Sequence, residues 1–409
     1  MEAVDISPSF QLQELPNSKA GSIRSTPMSS QPIDVAREPL APGSDAPVNA
    51  KITTRAWLSI AGSFLFLFTS YGFMQTIGTI QAYLEIHQLS AYSSRDVGWI
   101  TGAFTALTLL LGIQVGPLFD AYGPQYLGPV GCLVYIPVFF VLAECHTYWQ
   151  FMLVMGIWGG IGAAIVSMVG IGVISKWFTR RRGMAMGLAL CGSSVGGVVM
   201  PLMLRKLLPT VGWAWSIRSI AFLLSAIMII GALCLQHPLP SPPSGIPLAV
   251  RRKRAVLNFK ALKSWTFAFV TVGLSALEFS IFGIFSLLPT YAMVAGFNSD
   301  TGYTLIAVAN ATSTAGRFLS GLASDHFGPF NTMVFMVLVT TIFTASIFVP
   351  FGSSSLGALT AFSALWGFGS GSFISLAPVC MGLICETEDY GRYFGLFPPF
   401  PCIISFSAN

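Results

Sequence analysis

Along this chain long apolar runs alternate with short polar breaks, beginning near residue 57 and continuing to the end. Runs fall near 57–83, 97–119, 126–144, 149–175, 183–207 and 213–235. After a polar, Pro-rich and basic stretch they resume near 265–291, 300–323, 330–350 and 355–385, and a last one opens at Gly391. Each complete run is long enough to cross ~30 Å of hydrocarbon at ~1.5 Å per residue, and too long for a barrel strand. The pattern therefore predicts membrane helices, which satisfy their own backbone groups inside each span.

One polar break recurs. Gly116-Pro117-Leu118-Phe119-Asp120-Ala121-Tyr122-Gly123-Pro124 follows the second run, and Gly321-Leu322-Ala323-Ser324-Asp325-His326-Phe327-Gly328-Pro329 follows the eighth, with the glycines, the aspartate and the final proline in register. A repeat at half a chain length implies two related halves. The predicted organisation is a Ser/Pro-rich disordered tail over 1–50, a six-helix bundle over 51–236, a basic connection over 237–264 and a second bundle over 265–409. Lys51, Arg55, Lys176, Arg180, Arg181, Arg182, Arg251, Arg252, Lys253, Arg254, Lys260 and Lys263 flank loops of one side, whereas the other side carries Arg95, Arg205 and Lys206. Positive residues are retained in the cytosol, so the amino terminus, the connection and both repeated breaks are expected there. The halves are then parallel copies.

Composition agrees, and excludes much. The chain is 54% hydrophobic and 9% charged with a mean hydropathy of +0.71, against roughly 25% charged residues in a soluble domain. The net charge of +5 is modest and suggests no nucleic-acid partner. The seven cysteines lie in apolar runs or at their ends, and the four histidines in loops or at helix ends, without metal-ligand spacing. Gly159-Gly160-Ile161-Gly162 lies mid-run with no Lys-Ser/Thr after it, so it is no phosphate loop. No nucleophile with a base is visible, so an enzyme with a metal or cofactor is not expected, and energy for any transport must come from a gradient.

Only a few ionisable residues lie well inside runs, and two of them stand near the midplane. Arg317 is eight residues before Asp325, roughly 12 Å into the membrane. Glu278 lies in the middle of the seventh run. Charges at that depth are costly and by default face a cavity or a partner. Arg317 is thus a candidate for holding a substrate carboxylate, and Glu278 for taking a coupling proton or neutralising Arg317 in an empty site. Tyr71, Phe73, Gln75 and Trp366 are candidate cavity walls, and the Gly-rich stretches in the fourth and tenth runs read as helix-packing faces.

Two sets of helices, a basic connection and a paired Gly-x-x-x-Asp-x-x-Gly turn resemble the major facilitator superfamily over residues 51–409. That resemblance implies an all-α integral membrane fold of two parallel six-helix bundles, here with about 11 helices because the second is incomplete. It also implies that Asp120 and Asp325, with Gly116, Gly123, Gly321 and Gly328, latch the bundles, against helix starts near Gly391 and Gly183. The stretch from Lys176 to Gly197, through Lys176, Phe178, Arg181, Arg182, Gly187 and Gly192, looks like the signature of the monocarboxylate porter family. Arg55-Ala56-Trp57-Leu58, Gly62-Ser63-Phe64 and Gln81-Ala82-Tyr83 resemble its fungal branch, although Ala50 to Thr54 replace an acidic-Gly-Gly element.

The resemblance makes Arg317 the substrate-anion residue, while Gln75 and Ser313 take the places of a lysine and an aspartate of the animal members. It implies a secondary active transporter in the plasma membrane, moving a small organic anion or metabolite by alternating access, either facilitative or coupled to a proton. Secondary metabolites and carboxylates are the substrates considered. A rival reading starts from the ending: Pro398, Pro399 and Pro401 interrupt the eleventh run and the chain stops at Asn409, before a twelfth. On that view the protein is a non-transporting pseudo-transporter or receptor-like membrane protein.

Overall fold

The computed structural model describes residues 54–235 and 263–396. The expected tail over 1–50, most of the connection 237–264 and the chain from Phe397 onward lie outside the described residues. The described residues form helices and no strand. In the first half these are α1 (Thr54–Ile86), α2 (Ser94–Tyr122), α3 (Pro124–Leu142) and α4 (Tyr148–Trp177), then α5 (182–211) and α6 (213–234). The second half has α7 (Trp265–Val294), α8 (Ser299–Phe327), α9 (Pro329–Phe351), α10 (Leu356–Met381) and α11 (Tyr390–Gly395).

Among the described residues eight segments are long and apolar enough to span a membrane, so the chain is a multi-pass membrane protein. One of them, Arg182–Cys234, is 53 residues long and contains both α5 and α6. Gly212 divides it at φ 73°, a conformation that glycine adopts without a Cβ penalty. Helix α8 is not among the eight, because Asn310, Arg317 and Asp325 interrupt its apolar character.

Local chemistry sets the element ends. Helix α2 starts at Ser94, ahead of the apolar run at 97, because Ser93 and Asp96 form a capping box: the Asp96 N–H donates to Ser93 Oγ at 3.2 Å and the Ser93 N–H to Asp96 Oδ2 at 3.3 Å. The repeated breaks share one construction. Gly123 and Gly328 end their helices at φ 75° and 88°, and Pro124 and Pro329 start the next ones, where a missing N–H costs nothing.

Small residues bring helices together within each half. A Cβ on Gly72 of α1 would sit 2.8 Å from Cα of Gly196 in α5, and one on Gly192 would strike the Phe64 carbonyl. In the second half Gly316 of α8 faces the Phe368 carbonyl of α10, and Gly371 of α10 faces Ser313 of α8. Aromatic packing fills the first bundle: Phe73 meets Phe104 at 5.8 Å and Phe139 at 4.9 Å between ring centroids, edge to face. Phe73 is therefore core and not a cavity wall, and Trp366, packed on Phe285 at 5.1 Å, is likewise buried.

Two glycines on α1 test this account. A Cβ on Gly78 meets nothing within 4 Å, so Gly78→Ala should hold or raise stability by up to about 1 kcal/mol through helix propensity. Gly72→Ala should lose about 1–3 kcal/mol by overpacking against α5. Thermal unfolding in detergent, followed by tryptophan fluorescence, checks both, and equal midpoints would contradict the packing argument.

Candidate functional site

The ends of α5, α8, α10 and α11 meet on the face that carries Arg55, Lys176, Arg180, Arg181, Arg182, Lys263 and Arg392, called the basic face below. Asp325, in the last turn of α8, accepts hydrogen bonds from the N–H groups of Gly183 at 2.8 Å and Met184 at 2.9 Å, the first turn of α5. Asp120, at the end of α2, accepts from Gly391 N–H at 3.0 Å and Arg392 N–H at 2.9 Å, the first turn of α11. Each carboxylate of one bundle thus caps a helix of the other, satisfying free N–H groups and facing the positive helix end. The approach requires glycine on both sides: a Cβ on Gly116 would strike the Gly391 carbonyl, and one on Gly321 the Gly183 carbonyl.

The two caps differ. Lys176 of α4 lies 3.7 Å from Asp120 Oδ1 and 4.5 Å over the Phe119 ring. Arg182 ties a third seam, with Nε donating to the Phe178 carbonyl at 2.9 Å, Nη2 to Ser175 at 3.0 Å and Nη1 across the bundles to the Gly382 carbonyl at 2.6 Å, at the end of α10. Of the signature residues, Phe178 and Arg182 are buried and Arg181 is exposed. Gly187 faces the backbone of Arg317, and Gly192 faces α1.

Between the bundles lies a cavity of about 500 Å³. Tyr71 and Gln75 of α1, Thr101 and Thr105 of α2, Ser193 of α5, Glu278 and Phe279 of α7, Asn310 and Arg317 of α8 all line it, amid mainly apolar neighbours. The size and the mixture of apolar wall with few polar groups suit a metabolite-sized ligand. Arg317 is 1% exposed, and its Nη1 donates to the Leu190 carbonyl at 2.7 Å and to Ser193 Oγ. Its Nε is buried without a partner, as is Oε2 of Glu278. No ion pair joins Glu278 to Arg317 among the described residues.

Three of the four residues expected at the substrate site, Arg317, Glu278 and Gln75, are thus brought to one cavity. Ser313 is not: it is buried where α8 meets Gly371 of α10, one turn of helix away from the lining position of Asn310. Asn310, Thr101 and Thr105 were not anticipated as lining. Asn310 lies seven residues before Arg317, on the same helix face, and Thr101 and Thr105 are four apart, so the helical period was the available signal. A Thr or Asn inside a membrane helix has many packing roles, however, which hides that signal.

Helical bundles closed over a central cavity and capped across one face define a membrane transporter. The chain belongs to the Major Facilitator Superfamily, which it matches over residues 57–406. It is 31% identical to the MFS-type transporter hasB of Aspergillus fumigatus, over 94% of this chain and 86% of that one. It is 31% identical to the agnestins efflux protein AgnL12 of Paecilomyces divaricatus (95% and 85%), and 32% identical to the riboflavin transporter MCH5 of Saccharomyces cerevisiae (83% and 68%). The fold is that of the human organic anion transporter MFSD10, at a TM-score of 0.69 and 13% identity over 87% of this chain and 92% of that one. These proteins are transporters and not enzymes, and they lend no support to a non-transporting scaffold.

The capping geometry gives a test. Asp120→Asn keeps one acceptor oxygen but loses the charge and turns an N–H₂ toward a helix start. Transport should fall, by roughly tenfold for about 1.5 kcal/mol of lost charged hydrogen bonding, with surface expression unchanged. Unchanged uptake kinetics in vesicles would dispose of Asp120 as a latch.

Proposed function

We propose that this protein is a proton-coupled transporter of amphipathic organic acids, in the fungal branch of the monocarboxylate porter family, working by alternating access between residues 51–236 and 265–409. The observation that carries the reading is the cavity, an apolar chamber whose lining holds one guanidinium, Arg317, and one carboxylate, Glu278, each with an unpartnered polar atom. Arg317 Nε and its remaining nitrogens suit a carboxylate or enolate oxygen of the substrate, the apolar walls take its carbon skeleton, and Glu278 takes the proton. Gln75 and Asn310 supply neutral hydrogen bonds. The names of relatives support a metabolite as cargo: they include efflux proteins for agnestins and for aspyridones, and a riboflavin transporter.

Asp120 and Asp325 serve as latches on the basic face, helped by Lys176 and Arg182. Positive residues gather on that face, which supports reading it as the cytosolic side, with the amino terminus in the cytosol of a plasma-membrane protein. On this reading, the state with both carboxylates capping is the one closed to the cytosol.

Purified protein in liposomes, offered a panel of aromatic organic acids, riboflavin and neutral sugars with and without a pH gradient, tests the reading. Uptake of at least one acid should rise as the pH falls on the side of entry, where Glu278 gains its proton. Glu278→Gln should flatten that dependence, and Arg317→Gln should weaken apparent affinity roughly 10- to 100-fold, the loss of a charged hydrogen bond of about 1.5–3 kcal/mol. Full pH dependence in Glu278→Gln would remove the residue from the proton path.

A further inference from the structure

Glu278 does not stand alone on its helix. Phe267, Thr271, Ser275 and Glu278 of α7 fall within about 80° of one another around the axis at ~100° per residue, and the row spans roughly 16 Å toward the basic face. Thr271 is 2% and Ser275 8% exposed, and neither hydroxyl has a partner. Many buried helix hydroxyls return to a carbonyl one turn back, as Thr76 does to Gly72 at 2.9 Å and Thr340 to Met336 at 2.7 Å. Among the described residues, Thr271 and Ser275 are the unpartnered buried hydroxyls that share a helix face with a carboxylate lacking a partner on one oxygen. Buried polar atoms without protein partners are normally satisfied by water.

The row ends on a plug. Phe267 is 1% exposed and packs edge-on against Tyr393 of α11 at 5.4 Å, one residue beyond the Arg392 N–H that caps onto Asp120. We infer that the seam of α7 and α11 is the proton exit of this transporter: a hydrated column of Thr271 and Ser275 leads from Glu278 to the basic face, and the Phe267–Tyr393 contact closes it while the Asp120 cap is made. The inference rests on the reading of Glu278 as proton carrier. A hydronium ion in the cavity gives its proton to the Glu278 carboxylate, becoming water and leaving the neutral acid. When α11 moves off, the same proton passes to water in the column and out, restoring the carboxylate, with no other bond changed.

The charged and titratable groups around this path are few. Arg317 of α8 and Tyr71 of α1 line the cavity with Glu278. Helix α10 brings no charged side chain, α8 otherwise contributes Asp325 and His326 at the basic end, and α11 contributes Tyr390, Arg392 and Tyr393, of which Arg392 pairs with Asp389 at 3.1 Å. The column itself is therefore uncharged between Glu278 and α11, so hydroxyls and water must do the conducting.

Proton flux reads this directly, without a known substrate. Full-length protein in liposomes enclosing pyranine should be proton-tight under an imposed pH gradient. Phe267→Ala should make it leak, and Phe267→Ala with Glu278→Gln should restore tightness. Thr271→Val with Ser275→Ala, nearly isosteric and chosen to preserve folding, should abolish the leak of Phe267→Ala. A correctly eluting Phe267→Ala protein that stays tight, or a leak that survives Glu278→Gln or loss of both hydroxyls, overturns the inference. The failure of the parent reading looks different: Glu278→Gln alone would then leave pH-dependent uptake of acids intact.

Discussion

Everything on the basic face depends on a carboxylate reaching the first turn of a helix that belongs to the other bundle. The contact joins two requirements that are hard to meet together. The aspartate needs backbone N–H groups unshared with any other acceptor, which only the start of a helix supplies. The helices must also come close enough that a methyl group on either would collide, which Gly116 with Gly391 and Gly321 with Gly183 permit. The result is a set of short hydrogen bonds at 2.8–3.0 Å, each charged on the acceptor side, in a partly buried place where the helix dipole adds ~0.3–1 kcal/mol or more. Such a contact is strong enough to hold a state and, being made of a few polar bonds and not of a packed core, can open without unfolding anything.

The two caps are unequal, and the inequality bears on how the bundles part. Asp120 has Lys176 beside it, which spreads its charge onto α4 as well as α11. Asp325 rests on the start of α5, whose first residue, Arg182, is committed to the ends of α4 and α10. Both clusters involve the stretch 176–184, so the signature Lys-x-Phe-x-x-Arg-Arg-Gly is the point where all three seams of this face converge. Loss of a single seam therefore shifts load to the others, and variants in this stretch are expected to couple and not to add.

Much of the fold was legible because membrane helices obey few rules: length, apolarity and punctuation by glycine and proline located α1 to α10 within a few residues. The matched Gly-Asp-Gly-Pro breaks went further, since a repeat fixes symmetry, and the family resemblance they carry implies the pairing of Asp120 with α11 and Asp325 with α5. What symmetry does not carry is which face a polar residue turns to. Ser313 and Asn310 are neighbours on α8, yet one is wedged against Gly371 and the other opens on the cavity. That choice is made by where α10 crosses, a property of the packed bundle. The same holds for Phe73, whose ring is claimed by Phe104 and Phe139.

Arg317 joins the two levels. Its backbone carbonyl is where Gly187 of α5 makes its closest approach, its Nη1 holds the Leu190 carbonyl, and the residue lines the cavity. A guanidinium has five N–H donors in a rigid fork, so it can spend one edge on the partner bundle and keep another for a ligand, which lysine cannot do. A substrate that draws the free edge toward itself competes with Leu190 and Ser193 for the same cation. Binding energy is then available to loosen the α5–α8 seam at the very helix that Asp325 caps two turns further on. The arginine proposed to hold the ligand is, by its position, also the one placed to pass its arrival to the Asp325 cap.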